Sequence, residues 1–394
     1  MSAGAVSGLA TKLTFYRPFL PLFGGIFLCL LGVGASLATL PFLVRDEQGG
    51  KDVAVGVVVA AIAVAAVIFR PIAGRLADRH GYRTIMLAGA AACALAGAAY
   101  AVGVNVPTLV AIRVLHGAGE GAVYTAGAAW LVTLSPPERR GRVVGLYGIH
   151  MWLGITLGAL FGTVVLRTTS YGGVWVFCVV TALAGLLLVA AKERPEQAPA
   201  AGRAAFFPAT ALAPGVALSL AALGYAALSA FVALHLADKG ISNGIAAFNA
   251  FGFTYVGVRL FLGGWPDRFG AARVAFGSAL VEAVGLALVA VANNLVVAVA
   301  GGLVMGAGLS LLFPALALLV INRTEKQHQG AALGTFTSFW DIGLAAGGPL
   351  AGAIASLGGY AAAYWVMLAC AVVSAGISAL GAARRRPAPE KAPA

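Results

Sequence analysis

Five positions in the stretch 107–134 have the types and spacing to do chemistry together. Arg113, His116, Gly117, Glu120 and Tyr124 recur at i, i+3, i+4, i+7 and i+11, which puts them on one face of a helix. Their neighbours are apolar. An ionisable side chain inside a membrane span costs at least about 2.5–3.5 kcal/mol on insertion scales and faces a bundle interior or a wet cavity rather than lipid. Arg113 and Glu120 stand two turns apart, too far for close contact on one helix, so each needs a partner elsewhere, through His116 or through water. Burial favours the protonated carboxyl and a nearby cation favours the ionised one. Glu120 is therefore the expected proton carrier, its state responding to substrate or to movement of Arg113. The alternative is a permanently ionised structural pair.

Two further acids sit in apolar runs. Asp341 is expected to be a second proton site or a contact for a cationic substrate, with a hydrogen-bonded structural acid as the alternative; Glu282 ranks below it because its helix is expected at the periphery. Tyr147, His150 and Trp152, together with Phe336, Phe339 and Trp340, would form an aromatic wall if they face inward, and Tyr225 and Asn249 are further candidates for cavity contacts. Aromatic residues also anchor helices at the bilayer interface, so both roles stay open. Cys29, Cys93, Cys178 and Cys370 lie in separate apolar spans without metal-ligand spacing and read as packing residues. No His-Glu-x-x-His, Gly-x-x-x-x-Gly-Lys or paired-cysteine motif supports metal catalysis or direct ATP hydrolysis.

The elements that must position these residues follow from composition. Among 394 residues, only 10% are charged and 60% are apolar, the mean hydropathy is +0.93, and the formal net charge is +12. A soluble domain carries about 25% charged residues. A soluble enzyme, a disordered chain and a secreted disulfide scaffold are excluded, leaving an all-α integral membrane protein. A bilayer core needs about 20 apolar helical residues per crossing. The uncharged runs 18–44, 143–166 and 168–191 each fit one, whereas 342–383 must fold back at its Gly-Gly-Tyr turn. Twelve crossings are predicted, at 18–44, 53–73, 84–104, 107–134, 143–166, 171–191, 209–236, 244–264, 274–292, 295–321, 331–355 and 360–382. With the N-terminus inside, 21 of the 26 cations fall on the cytoplasmic side and only Arg45, Lys51, Arg167 and Lys239 outside. The basic excess is thus topological, and no nucleic-acid partner is needed. Lys12 and Arg17 precede a first span without a cleavage site, which is expected to stay in the protein.

The chain repeats itself. Arg70-Pro-Ile-Ala-Gly74-Arg-Leu-Ala-Asp78-Arg79-His-Gly81 returns 189 residues later as Arg259-Leu-Phe-Leu-Gly263-Gly-Trp-Pro-Asp267-Arg268-Phe-Gly270, and Gly117, Gly119, Gly145, Gly154 and Gly158 meet Gly306, Gly308, Gly334, Gly343 and Gly347 in the same register. Asp341 aligns with Trp152 and Glu282 with Cys93, so the repeat does not account for either acid. Two six-helix bundles are predicted, 1–191 and 209–394, the second with a short basic tail. They are joined by a polar, Pro-rich cytoplasmic linker at 192–208.

Gly74 to Arg83 resembles the loop between helices two and three of the major facilitator superfamily, and Arg113 with His116-Gly117-Ala118-Gly119 resembles that superfamily's second motif. The resemblance, strongest toward its drug and metabolite efflux branch, implies a secondary transporter working by alternating access. It further implies a cytoplasmic latch built from Arg70, Gly74, Asp78, Arg79, Gly81 and Arg83, echoed by Asp267 and Arg268. Asp78 at a helix C-terminus faces the negative end of the dipole and needs a cation or a neighbouring helix N-terminus. A static turn with topology-setting charge is the alternative. The spacings Gly154-x-x-x-Gly158-x-x-x-Gly162 and Gly343-x-x-x-Gly347 permit close helix packing. Efflux members carry Gly-Pro in helix five; here Ala159 follows Gly158, and a Gly348-Pro349 pair occurs in helix eleven instead.

These readings lead to a monomeric, non-enzymatic transporter of the cytoplasmic membrane with both termini inside. It would export a small amphipathic or cationic solute in exchange for protons. No cofactor is expected, the proton being the coupling ion. Arg113, His116, Tyr124, His150, Trp152, Tyr225, Asn249, Phe339 and Trp340 would line the substrate cavity, with Glu120 and Asp341 as proton sites. Uptake or facilitated diffusion of a sugar or organic metabolite is the runner-up, and a non-transporting receptor or scaffold is the reading from another class.

Overall fold

A computed structural model describes residues 16–103, 105–136, 139–192, 209–325 and 328–383. The chain divides into two compact units, Met1–Gly202 and Arg203–Ala394. The expected linker 192–208 and both chain ends lie outside the described residues, except for Lys192.

The first unit holds α1 (Leu20–Phe42), α2 (Asp52–His80), α3 (Tyr82–Ala99), α4 (Val106–Leu134), α5 (Arg140–Thr168) and α6 (Tyr171–Ala190). The second holds α7 (Leu212–Ala237), α8 (Ile245–Leu262), a short helix Trp265–Phe269, α9 (Ala271–Val291) and α10 (Leu295–Arg323). The helical stretch Gln329–Ala383 completes it, and Gly359 at φ 79° divides that stretch into α11 (329–358) and α12 (360–383). Ten segments are long and apolar enough to cross a membrane. One of them, Ala332–Leu380, spans the Gly359 break and makes two crossings, and α4 with its polar stripe supplies the twelfth among the described residues. Leu187, Phe261, Val296 and Leu357 stand exposed, as side chains facing lipid would.

The repeat is visible in local geometry. Asn105 and Asn294, 189 apart, cap α4 and α10 alike, each side-chain oxygen accepting from the backbone N–H three residues on at 2.9 Å. Gly81 and Gly270 make the turns into α3 and α9 at φ 90° and 91°, a region that penalises any Cβ. The two copies then diverge. α2 runs on to His80, seven residues past the predicted crossing, so the Gly74–His80 stretch is helix and the turn itself is only Gly81. The matching segment breaks after Leu262 at Gly263-Gly264 and restarts with Pro266 in the first turn of the short helix, where its missing N–H costs nothing.

Small residues bring the helices together. A Cβ on Gly154 would fall 2.6 Å from the Phe27 carbonyl oxygen, and one on Gly158 would overlap the Leu31 carbonyl, so α5 lies directly on α1. In the second unit Gly343 crosses Ser219 and Gly347 crosses Leu223, placing α11 on α7 with the same four-residue step. Gly117 lets α4 meet α2 at Ile62 while Gly119 meets Gly89 of α3 2.8 Å from its carbonyl; Gly306 and Gly308 repeat this on α10, against Phe251 of α8 and Ser278 of α9. In lipid, where burial of apolar surface gives no driving force between helices, this close packing is what associates them.

Candidate functional site

α4 carries the polar stripe of the first unit, and the structure shows what each member reaches. Arg113 is fully buried. Its Nε donates to the Val58 carbonyl, Nη2 to the Val59 carbonyl and Nη1 to Ser36 Oγ, all at 3.2 Å. It ties α4 to α2 and α1. His116 stands 3.2 Å from the Tyr100 hydroxyl through Nδ1, and Tyr100 stacks on Trp175 with ring centres 4.6 Å apart. One turn further, Glu120 is 7% exposed and pairs with Arg70 of α2, Nη2 to Oε1 at 3.3 Å. The Arg70 guanidinium lies 5.0 Å from the centre of the Tyr124 ring, which neighbours Tyr147. Tyr147 donates to the Val123 carbonyl at 2.8 Å. Glu120 and Arg113 thus have different partners, and the carboxylate answers a cation 50 residues away in the chain.

The second unit has no carboxylate at the Glu120 position, where the repeat places Leu309. Arg259, the mate of Arg70, donates to the Tyr255 hydroxyl at 2.8 Å and lies 6.0 Å from the Phe313 ring, which stands in place of Tyr124. Among the described residues it forms no ion pair within its unit. Rings continue from there: Phe313 meets Phe336 at 5.3 Å, Tyr255 meets Phe251 at 5.8 Å, and Tyr225 contacts Phe251, Phe248 and Trp340 at 5.3, 6.1 and 5.7 Å. Asn249, beside Phe248, is 6% exposed and its Oδ1 has no hydrogen-bond partner among the described residues.

The other expected site residues separate. His150 stacks on Phe23 of α1 at 4.7 Å, Trp152 is buried in α5, and Phe339 packs on Gly215 of α7 rather than beside Trp340. Asp341 is 4% exposed in α11. In the latch segment, Asp78 and Arg79 are exposed and form no ion pair within the unit among the described residues. Arg70 is turned to Glu120, and Arg83 donates to the Ala190 and Lys192 carbonyls at 2.6 and 3.0 Å, capping the end of α6. Inside its own unit a methyl at Gly74 would meet only Thr125, at an ordinary 3.7 Å. Asp267 is exposed, and Arg268 covers Phe269. Sequence reasoning missed Ser36, Tyr100 and the Arg259 cluster. The last was signalled by the repeat, since Arg259 aligns with Arg70.

Two bundles in sequence repeat, with a charged stripe on the fourth helix, define the architecture of a membrane transporter. The family model described as Major Facilitator Superfamily matches residues 22–242 and 215–394, and the chain belongs to that superfamily. It is similar to the uncharacterized MFS-type transporter STM4428 of Salmonella typhimurium, 30% identical over 95% of this chain and 97% of that one, and to YhhS of Escherichia coli K12, 32% identical over 93% and 92%. Solved structures of like fold include the human organic anion transporter MFSD10 (TM-score 0.71, 19% identity, 92% of this chain and 99% of that one) and a bacterial homologue of the lysosomal transporter Spinster (0.76, 13%, 95% and 99%). The nucleoside transporter NupG is another, at 0.73 and 15% identity over 93% of this chain and all of that one.

Proposed function

We propose that the protein exports a small amphipathic or cationic solute across the cell membrane by alternating access, in exchange for protons, with Glu120 as the exchanging group. The Arg70–Glu120 pair supports this reading. It joins α2 to α4 at a nearly buried carboxylate, with the Arg70 guanidinium over the Tyr124 ring, a position that can hold one positive charge at a time. Arg70, a proton and a cationic solute compete for it. A proton cancels the carboxylate and frees Arg70; a cation arriving at the protonated form takes its place as that proton leaves to water and the carboxylate ionises. Asp341, nearly buried in the other unit, is proposed as the second proton site or solute contact.

The test is purified protein in proteoliposomes under an imposed pH gradient, screened with cationic dyes, antibiotics and sugars. Wild type is expected to concentrate a cationic probe against its gradient, and Glu120→Gln to lose at least tenfold of that uphill rate while still exchanging probe downhill. Uphill movement that survives in Glu120→Gln would remove Glu120 from the mechanism. A second reading, transport of an organic anion, draws on Arg259, a cation with aromatic neighbours and no carboxylate partner within its unit among the described residues. Anionic probes in the same vesicles, with Arg259→Gln, separate the two. No movement of any probe by folded protein would favour a receptor instead.

A further inference from the structure

Glu282 sits halfway along α9 and is 0% exposed. Neither carboxyl oxygen has a hydrogen-bond partner among the described residues. The fold does not call for an acid there: the same position of the first unit holds Cys93, equally buried. Room for the carboxyl comes from α7, where a Cβ on Gly224 would stand 3.0 Å from Glu282 Oε1. On the other side Gly308 brings α10 against the Glu282 backbone nitrogen. Titratable groups on the helices around α9 are Tyr225 and His235 on α7, Arg323 at the end of α10, Asp341 on α11, and Tyr360, Tyr364 and Cys370 on α12. None is bonded to the carboxyl: His235 is taken up by the Val289 carbonyl and the Tyr364 ring, Tyr364 by the Ala227 carbonyl, and Tyr225 by its ring cluster. An unpaired carboxylate in such surroundings costs several kcal/mol, and a bound proton removes the charge.

We propose that Glu282 is a proton-binding site of the second unit, linked through the adjacent residues Gly224 and Tyr225 to the aromatic cluster around Trp340. The proton sits on the carboxyl while α7 is closed against α9, and it leaves to water only when α7 withdraws at Gly224. Tyr225 is the next residue on α7, and its ring meets Trp340, Phe251 and Phe248. A flat solute entering that cluster must displace the ring, and the shared backbone carries the displacement to Glu282. Proton and solute occupancy then bias one another. This holds whether or not Glu120 exchanges protons, and it needs no identified cargo to test.

The test is infrared difference spectroscopy of purified full-length protein in lipid across a series of pH steps. Wild type is expected to show the carbonyl stretch of a protonated carboxylic acid, lost in Glu282→Gln and in Glu282→Cys, which installs the residue of the other repeat. The band is expected to shift in Gly224→Ala, whose methyl crowds Oε1, and in Tyr225→Ala. Absence of a band assignable to Glu282 would overturn the proton site. A band unmoved by both α7 variants would overturn the link to the cluster.

Discussion

Arg113 holds a charge at a fully buried position, and its hydrogen-bond partners are two helix carbonyls and a hydroxyl, with no carboxylate among them. The guanidinium fork matters more than the charge, because three separate acceptors on α1 and α2 need a planar, branched donor. Arg113→Lys leaves a buried ammonium with fewer acceptors in reach and is expected to destabilise by about 1.5–3 kcal/mol for each charge-assisted bond lost. Arg113→Met, which removes charge and bonds together, is expected to cost less. Thermal unfolding read with a thiol-reactive dye ranks the two, since Cys29, Cys93 and Cys178 are buried until the unit opens. The helical period alone put Arg113, His116, Glu120 and Tyr124 on one face. Their partners were not legible: Arg70 lies 50 residues from Glu120, and Ser36 and Tyr100 read as ordinary members of apolar runs. Periodicity fixes a face, whereas tertiary pairing depends on which helix crosses at that height.

At the scale of elements, backbone-to-backbone crossings hold each unit. A Cβ on Gly158 would overlap the Leu31 carbonyl of α1, whereas one on Gly145, thirteen residues earlier on the same helix, would meet nothing within 4 Å. Gly158→Ala must push α5 off α1 and is expected to cost about 1–3 kcal/mol or more. Gly145→Ala is expected to be neutral or to stabilise by about 0.5–1 kcal/mol through helix propensity. Melting temperatures in one detergent compare them, and equal shifts would contradict the crossing geometry. The crossings themselves were legible because uncharged runs and glycine spacing survive without knowledge of partners. The end of α2 was not. The crossing is expected to end at 73 and Gly74 to Arg83 resembles a loop, yet the helix continues to His80 because charged side chains on its last two turns reach water. The equivalent stretch breaks only where Gly263-Gly264 and Pro266 remove helix propensity and a donor.

Over the whole chain, the sequence assigns 21 of the 26 cations to one aqueous side, and two of the four assigned to the other are met locally. Arg45 on the sparse side pairs with Asp46 at 2.7 Å, and Lys239 donates to the Ala292 carbonyl at 2.6 Å, at the negative end of the α9 dipole. Asp46 cancels the Arg45 charge where positive-inside sorting would oppose it, and the helix terminus partly offsets that of Lys239. On the side expected to be cation-rich, Arg75 and Arg79 of the first unit and Arg268 of the second are each exposed. In cells producing a Cys370→Ser background, single cysteines at Lys51 and Asp238 are therefore expected to react with a membrane-impermeant maleimide. Cysteines at Arg79 and Arg268 are expected to react only after permeabilisation. Reversed labelling would place the Arg70–Glu120 group near the opposite aqueous phase, while the direction of proton-coupled exchange would still be set by the proton gradient. Labelling of all four sites in intact cells would mean a mixed orientation, which a chain with 21 cations assigned to one face and four to the other should not adopt, since each stray arginine in a short loop opposes translocation of that loop.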